Sequence, residues 1–393
     1  MADEEGLRKE AVRRLIGGED ARTIAQDLAR SERWVYKWVG RYQTGEERWF
    51  VSGSRRPHGT PQATSKELAA LVLGARDRLE ADPRAQRGAA AIAWELTSMG
   101  VAQDAVPGSW TIERILSREG RSKPRLREGS RYKPKGTPYP ARAARMRPGV
   151  LHEFDPVGPR YLDGAQEIYS LNAMDVGSHR IALEPLARPT PVAFAEHVVA
   201  AWGRLGIPQI VQFDNAPSLR GDIGNGRVFG PVVRACLDLG VKIRYIPLEE
   251  PWRNGAVEHF QDVFDKSFFR TERFRDLAHL RERAREFEVF HNARHRYSPL
   301  GGKTPDQAWA AAGPALRRPP AGYRIPDALP RRGRIDVVRL IRSNRLLNLF
   351  GERIAMPEDT VYQYVVAQIH VRAQRLVVTC SGEVVHEASH PIR

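Results

Sequence analysis

Apolar residues recur at helical spacing through the first 42 positions. "EEGLRKEAVRRLIGG" carries Leu7, Val12, Leu15 and Ile16 on one stripe and stops at Gly17-Gly18. "ARTIAQDLAR" follows, then "SERWVYKWVGRY", where Ser31 is a good N-cap ahead of Trp34, Val35, Trp38 and Val39. Short helices with a tight joint at Ala29–Ser31 predict a helix-turn-helix, in which the last helix enters a DNA major groove. Arg33, Tyr36, Lys37 and Arg41 would be its groove-facing side chains; an ordinary three-helix bundle would read the same way. The pattern recurs in "TSKELAALVLGARDRLEAD", "GAAAIAWELTSMG" and "GSWTIERILSREG", a second helix-turn-helix with "WTIERIL" as its last helix.

From residue 150 the period changes. "VLHEFDPVG", "QEIYSLNAMDVG" and "HRIALEPLA" read as three strands with turns between them. Helices and strands then alternate: "PVAFAEHVVAAWGRLG", the strand "PQIVQFDN", "GPVVRACLDLG", the strand "VKIRYIPL", and the helices "NGAVEHFQDVFDKSFFRT" and "DLAHLRERAREFEVFHNARH". This predicts a mixed sheet flanked by helices. Residues 314–332, rich in Pro and Arg, read as a linker, and "RIDVVRLI", "LLNLFG", "YQYVVAQIHV" and "RLVVTCSG" as the strands of a small C-terminal β-barrel. The expected division is 1–60, 61–122, a linker over 123–148, a core over 149–315, and linker plus barrel over 316–393.

Composition adds a partner class. Across 393 residues the formal net charge is +15, which favours a polyanion, nucleic acid before an anionic membrane. Residues 121–147 hold ten Lys/Arg, one acid and four prolines. Arg121, Lys123, Arg125, Lys133 and Lys135 would track phosphates there, although a solvated tether has the same composition. Arg55 and Arg56 in "GSRRPHGTP" suit an arm entering a minor groove, or a plain linker. Cys236 and Cys380 sit among apolar residues and read as buried free thiols in a reducing cytoplasm. No Cys/His cluster suggests zinc, and no apolar run is long enough to span a bilayer. A soluble, cytoplasmic, nucleoid-associated protein is expected.

Asp155 and Asp214 each end an apolar strand, where open α/β sheets place ligands, and paired carboxylates there suit hard divalent cations. Singly, each is ordinary turn chemistry. A third acid lies in "LEEPWRNGAVEHF", which offers Glu249, Glu250 and Glu258, with 34, 35 and 43 residues separating them from Asp214. Pro251 biases Glu250 towards extended backbone, so Glu249–Glu250 belong to a loop, whereas Glu258 falls in the first turn of a helix.

The order Asp155, Asp214, then an acid in "PWRNGAVEHF" resembles the catalytic core of DDE transposases and retroviral integrases. Most similar are bacterial insertion-sequence transposases with helix-turn-helix domains ahead of an integrase-type core. "GIPQIVQFDN", "PWRNGAVEHF" and "FHNARHRYSPLGGKTPDQAW" carry the resemblance, which spans most of the chain. It implies a ribonuclease-H-like fold, two Mg²⁺ or Mn²⁺ ions held by Asp155, Asp214 and the Glu, and DNA cleavage and strand transfer at element terminal repeats. It also implies a dimer or larger homo-oligomer on DNA. The family's usual gap near 35 residues favours Glu250. Its motif places the acid three residues after the glycine, which is Glu258, and the Gly-rich "SLRGDIGNGRVFGP" would account for the longer gap. Glu258 is therefore expected at the metal, with Glu250 as rival, and Asn254 and Lys266 as DNA contacts. Asn-Ala after Asp214 departs from the usual Asn-Gly. The alternatives are a non-catalytic DNA-binding regulator derived from a transposase and a metal nuclease without joining activity.

Overall fold

The computed structural model describes residues 4–52, 64–122, 139–140, 147–162, 166–221 and 227–392. Arg55, Arg56, Lys123, Arg125, Lys133 and Lys135 lie outside them. The chain divides into two units, Met1–Thr64 and Ser65–Arg393.

The first unit contains α1 (Glu4–Ile16), α2 (Ala21–Asp27) and α3 (Glu32–Gln43). Asp20 caps α2 and Ser31 caps α3, accepting from the Trp34 amide at 3.2 Å. Ala29 turns the chain between them with a φ of 50°. Ala11, Ile24, Ala25 and Val35 form the small core, with Val12, Trp38 and Val39 beside it. The spacing that predicts the helices also supplies their contacts.

The second unit opens with α4 (Lys66–Ala81), α5 (Ala89–Ser98) and α6 (Ser109–Arg118), which share a core of Val72, Ile92, Leu96, Ile112 and Leu116. Expected as a separate domain, they belong to the same compact unit as the sheet. His295 Nε2 lies 2.7 Å from the Arg84 carbonyl, and Gln86 exchanges two hydrogen bonds with the Arg296 backbone.

The sheet begins with β1 (Leu151–Leu162), β2 (Gln166–Asp175) and β3 (Ile181–Leu186) as an antiparallel meander. After α7 (Pro191–Leu205), β4 (Ile210–Phe213) pairs parallel with β1, placing Glu153 opposite Gln212. The short α8 (Pro217–Arg220) and α9 (Pro231–Asp238) lead to β5 (Lys242–Tyr245), parallel to β4. A 3₁₀ turn over Pro251–Asn254 precedes α10 (Gly255–Phe264), then α11 (Leu277–Arg294) and α12 (Pro305–Ala312). Alternation along the strands sorts side chains to two faces. Phe154, Val211, Phe213 and Tyr245 pack under α7 and α9 with Trp202 and Cys236. Val157, Ile168, Met174 and Leu183 pack under α10 and α11 with Val257, Phe260, Phe264 and Phe287. Deleting a buried ring such as Phe260 would cost about 3–5 kcal/mol. Glu153, Asp155, Gln212 and Asp214 belong by alternation to this second face, towards α10.

The C-terminal strands depart from expectation. Among the described residues β6 (Arg334–Leu340), β9 (Tyr364–His370), β10 (Arg375–Cys380) and β11 (Glu383–Ser389) continue the core sheet rather than closing a separate barrel. Among the described residues the nine-stranded order is β11-β10-β9-β6-β5-β4-β1-β2-β3, and β7 (Leu346–Leu349) and β8 (Glu352–Ala355) pair apart. The physical reason lies at β5. Its outer edge would present unpaired backbone groups, and β6 satisfies them in parallel register, Tyr245 opposite Val337. Nor is 314–332 a free linker. Arg317 donates to the Leu239 carbonyl at 2.8 Å and Tyr323 to Asp238 at 3.0 Å, strapping the segment to the end of α9. Cys236 is buried, while Cys380 is only partly so.

Candidate active site

Parallel pairing of β1 with β4 ends at Glu153 opposite Gln212. Two residues further along stand Asp155, which lies within β1 opposite Asn172 and not at the strand end expected of it, and Asp214, one residue past β4. Side chains so placed are roughly 5 Å apart at their bases, and two ionised carboxylates at that separation repel by about 3 kcal/mol at an effective dielectric near 20. The titration behaviour follows. Burial, then the charges of Asp214, Glu258 and Glu153, push the Asp155 carboxyl up to about 7. Burial raises Asp214 against a hydrogen bond from the Ala216 amide, and burial with Asp214 raises Glu258. Glu258 lies in the first turn of α10, the helix that lies over this face of the sheet. Among the described residues no three acids already converge as ligands of one ion. Their charges nevertheless act on one another. Gln261, one turn beyond Glu258, donates its amide to Asp155.

The other two glutamates have different surroundings. Glu249 has a φ of 59° and pairs at the surface with Arg342 at 2.9 Å. Glu250 is buried; the Tyr364 hydroxyl lies 2.8 Å from both of its oxygens and Arg253 Nε donates at 3.0 Å. Its carboxylate is committed to that cluster and not to the face of Asp155 and Asp214. The 43-residue gap has a matching structural feature. Gly221 and Gly230 close the neck of a loop, with the Gly230 amide donating to the Arg220 carbonyl at 3.0 Å. A Cβ on Gly221 would stand 2.2 Å from the Gly230 nitrogen, so only glycine permits the crossing. Eight residues lie between these two glycines, the number by which 43 exceeds 35. Residues 222–226 lie outside the described residues.

Among the expected DNA contacts, Arg33, Tyr36 and Lys37 are exposed on α3. Arg41 is half-buried, over Trp38 at 5.1 Å and donating to the Val51 carbonyl at 3.0 Å. Arg121 pairs with Asp77 and Glu80 on α4. Lys266, on a π-helical turn after α10, is exposed and pairs with Asp262 at 2.5 Å. Asn254 is a correction: it is 2% exposed and donates to the Phe154 carbonyl at 2.9 Å, so its amide is spent inside the protein. Sequence reasoning missed Glu153, Gln212 and Gln261. Glu153 and Gln212 share the i−2 position to the two aspartates, a spacing that places them on the same face and was the available signal.

The chain thus carries a helix-turn-helix ahead of a mixed-sheet core of the integrase type, with Asp155 within β1 and Asp214 just past β4. The family models agree: residues 8–67 match the winged helix-turn-helix model, and residues 239–305 match the integrase core domain model. No curated protein matches the chain. Solved structures similar to it include the HTLV-2 integrase catalytic core domain in complex with magnesium. Its dimeric form is 15% identical over 42% of this chain and 98% of that one, with a TM-score of 0.32. The trimeric form is 16% identical over 42% and 97%, with the same score. The catalytic core domain of BIV integrase is 15% identical over 42% and 96%, again at 0.32. No helix among the described residues is long and apolar enough to cross a membrane.

Proposed function

We propose that the protein is a DDE transposase of an insertion sequence, which binds element terminal repeats and cuts and joins DNA at Asp155, Asp214 and Glu258. The observation that carries this reading is the placement of Asp155 and Asp214 each two residues beyond Glu153 and Gln212, the last pair of parallel strands β1 and β4, with Glu258 charge-coupled to Asp214. Three partly buried carboxylates, with Asp155 and Glu258 raised further by the charge of Asp214, are an all-oxygen donor set short of positive charge, which fits Mg²⁺ or Mn²⁺. Two such ions, when bound, would activate the attacking hydroxyl and stabilise the leaving oxygen.

The chain's own residues do the rest. Asp155 and Asp214, anchored on the sheet, fix one side of the site, and Glu258 approaches from α10. Gln261 orients the Asp155 carboxylate by its hydrogen bond. Arg33, Tyr36 and Lys37 on α3 read duplex DNA, with Arg41 buttressing the helix. Joining two element ends calls for two active sites, hence a dimer or larger assembly on DNA. The test uses duplexes of the sequence flanking the chain's own gene, with Mg²⁺ or Mn²⁺. Metal-dependent nicking and a joined product are expected. Binding without cleavage would favour the regulator, and cleavage without a joined product the nuclease.

A further inference from the structure

We propose that Glu153 is the positioning residue that holds Glu258 in register with Asp155 and Asp214, acting through the N-terminus of α10. The inference rests on the catalytic reading above and deepens it. Glu153 is fully buried on β1, two residues before Asp155. One carboxylate oxygen accepts from Gln212 Nε2 at 3.1 Å, and Gln212 stands two residues before Asp214. The other accepts from the backbone amides of Ala256 and Val257 at 2.9 and 3.2 Å. Val257 immediately precedes Glu258. A single side chain therefore touches the strand of each aspartate and the helix turn of the glutamate.

The helix end depends on this grip. The first amides of a helix have no partners within it, and the helix dipole favours an anion there. Asn254 occupies the cap position, yet its side chain does not cap α10 and is spent on the Phe154 carbonyl. Gln212 closes the clasp by also donating to the Arg253 carbonyl at 2.8 Å. A local Asn cap would hold the helix end without burying another charge beside Asp155, which a buried carboxylate opposes. The arrangement serves placement of Glu258, where an ångström of displacement matters to chemistry.

The experiment compares wild type, Glu153→Gln, Gln212→Ala and Glu258→Gln for Mn²⁺ affinity by electron paramagnetic resonance, metal-free melting temperature, and kcat and KM for cleavage of flanking-sequence duplexes. An amide at 153 can face the helix amides or Gln212 with an acceptor, but not both. Expected for Glu153→Gln is a loss of Mn²⁺ affinity and kcat on the order of 10- to 100-fold, with KM for DNA unchanged. Gln212→Ala, which leaves the helix amides held, should shift both in the same direction by less. A lowered melting temperature with unaltered Mn²⁺ affinity and kcat in Glu153→Gln would reduce Glu153 to a structural cap and overturn the proposal. Should that variant not fold, unaltered affinity in Gln212→Ala overturns it. Loss of affinity in Glu258→Gln but not in Glu153→Gln rejects positioning alone. No Mn²⁺ binding by wild type rejects the catalytic reading with it.

Discussion

Arg339 Nη2 donates to Asn215 Oδ1 at 2.8 Å, which ties strand β6 to the residue beside Asp214. Arg339 is buried and also donates to the carbonyls of Ile246, Val338 and Asn348. Burial lowers its pKa to about 10, so it stays cationic at neutral pH. The C-terminal strands thus brace the loop that presents an expected catalytic aspartate. Arg339→Leu removes the buried guanidinium's hydrogen bonds to Asn215 and to the three carbonyls and should cost about 3 kcal/mol or more, read by urea denaturation. A cost below about 1 kcal/mol would show that the brace is dispensable.

Glu250 and Glu258 should separate cleanly. Glu258→Gln, like Asp155→Asn and Asp214→Asn, is expected to abolish strand transfer while sparing DNA binding by gel shift. Glu250→Gln weakens the bonds to Tyr364 and Arg253 and should lower the melting temperature while keeping strand transfer. The reverse pattern would move the third acid to Glu250.

Acid should destabilise the core partly through His152. Burial, then Arg180, lower its pKa to about 3, from about 6.5 in the unfolded chain. A depressed histidine contributes stability that is present above pH 6.5 and lost as pH falls towards 3. Asp175, 3.6 Å away, does not rescue the ring. Its own pKa is raised to about 6 by burial, so it loses its charge in the same range. Asp155 and Asp175 work oppositely, since their stability is present below about 3.8 and lost as pH rises to about 7 and 6. The difference between wild type and His152→Leu therefore isolates the histidine. Melting temperatures from pH 8 to 4 should fall less steeply in the variant. Neither ring nitrogen has a hydrogen bond among the described residues, so the variant should lose nothing at pH 8. Parallel curves would refute the assignment.

DNA affinity should respond to α3. Arg33→Ala or Lys37→Ala is expected to weaken binding to flanking-sequence duplexes. If the residue contacts phosphate, the slope of log affinity against log salt should fall by about 1. Unchanged binding in both variants would leave α3 as an ordinary bundle helix.

Much of the fold was legible in the sequence because its signals are local. The apolar stripe around Trp34 and Trp38, the caps Asp20 and Ser31, and the alternation in "HEFDPV" depend on backbone periods of 3.6 and 2. They placed Asp214 just past a strand and Glu258 in a first helical turn before any contact was known, but they put Asp155 at a strand end, whereas β1 runs on to Leu162. Other features depend on which distant residue arrives. Tyr364 lies 114 positions beyond Glu250 and decides where that carboxylate is spent. Ala256 and Val257 lie 103 and 104 positions beyond Glu153 and make it a clasp. Strand periodicity likewise cannot distinguish a closed barrel from an extended sheet, because partner choice at an edge is a long-range event. The sequence by itself determined the elements and the order of the acids. Tertiary structure decided that β6 pairs with β5, that Asn254 turns inward, and that a buried glutamate outside the motif binds the helix to the strands.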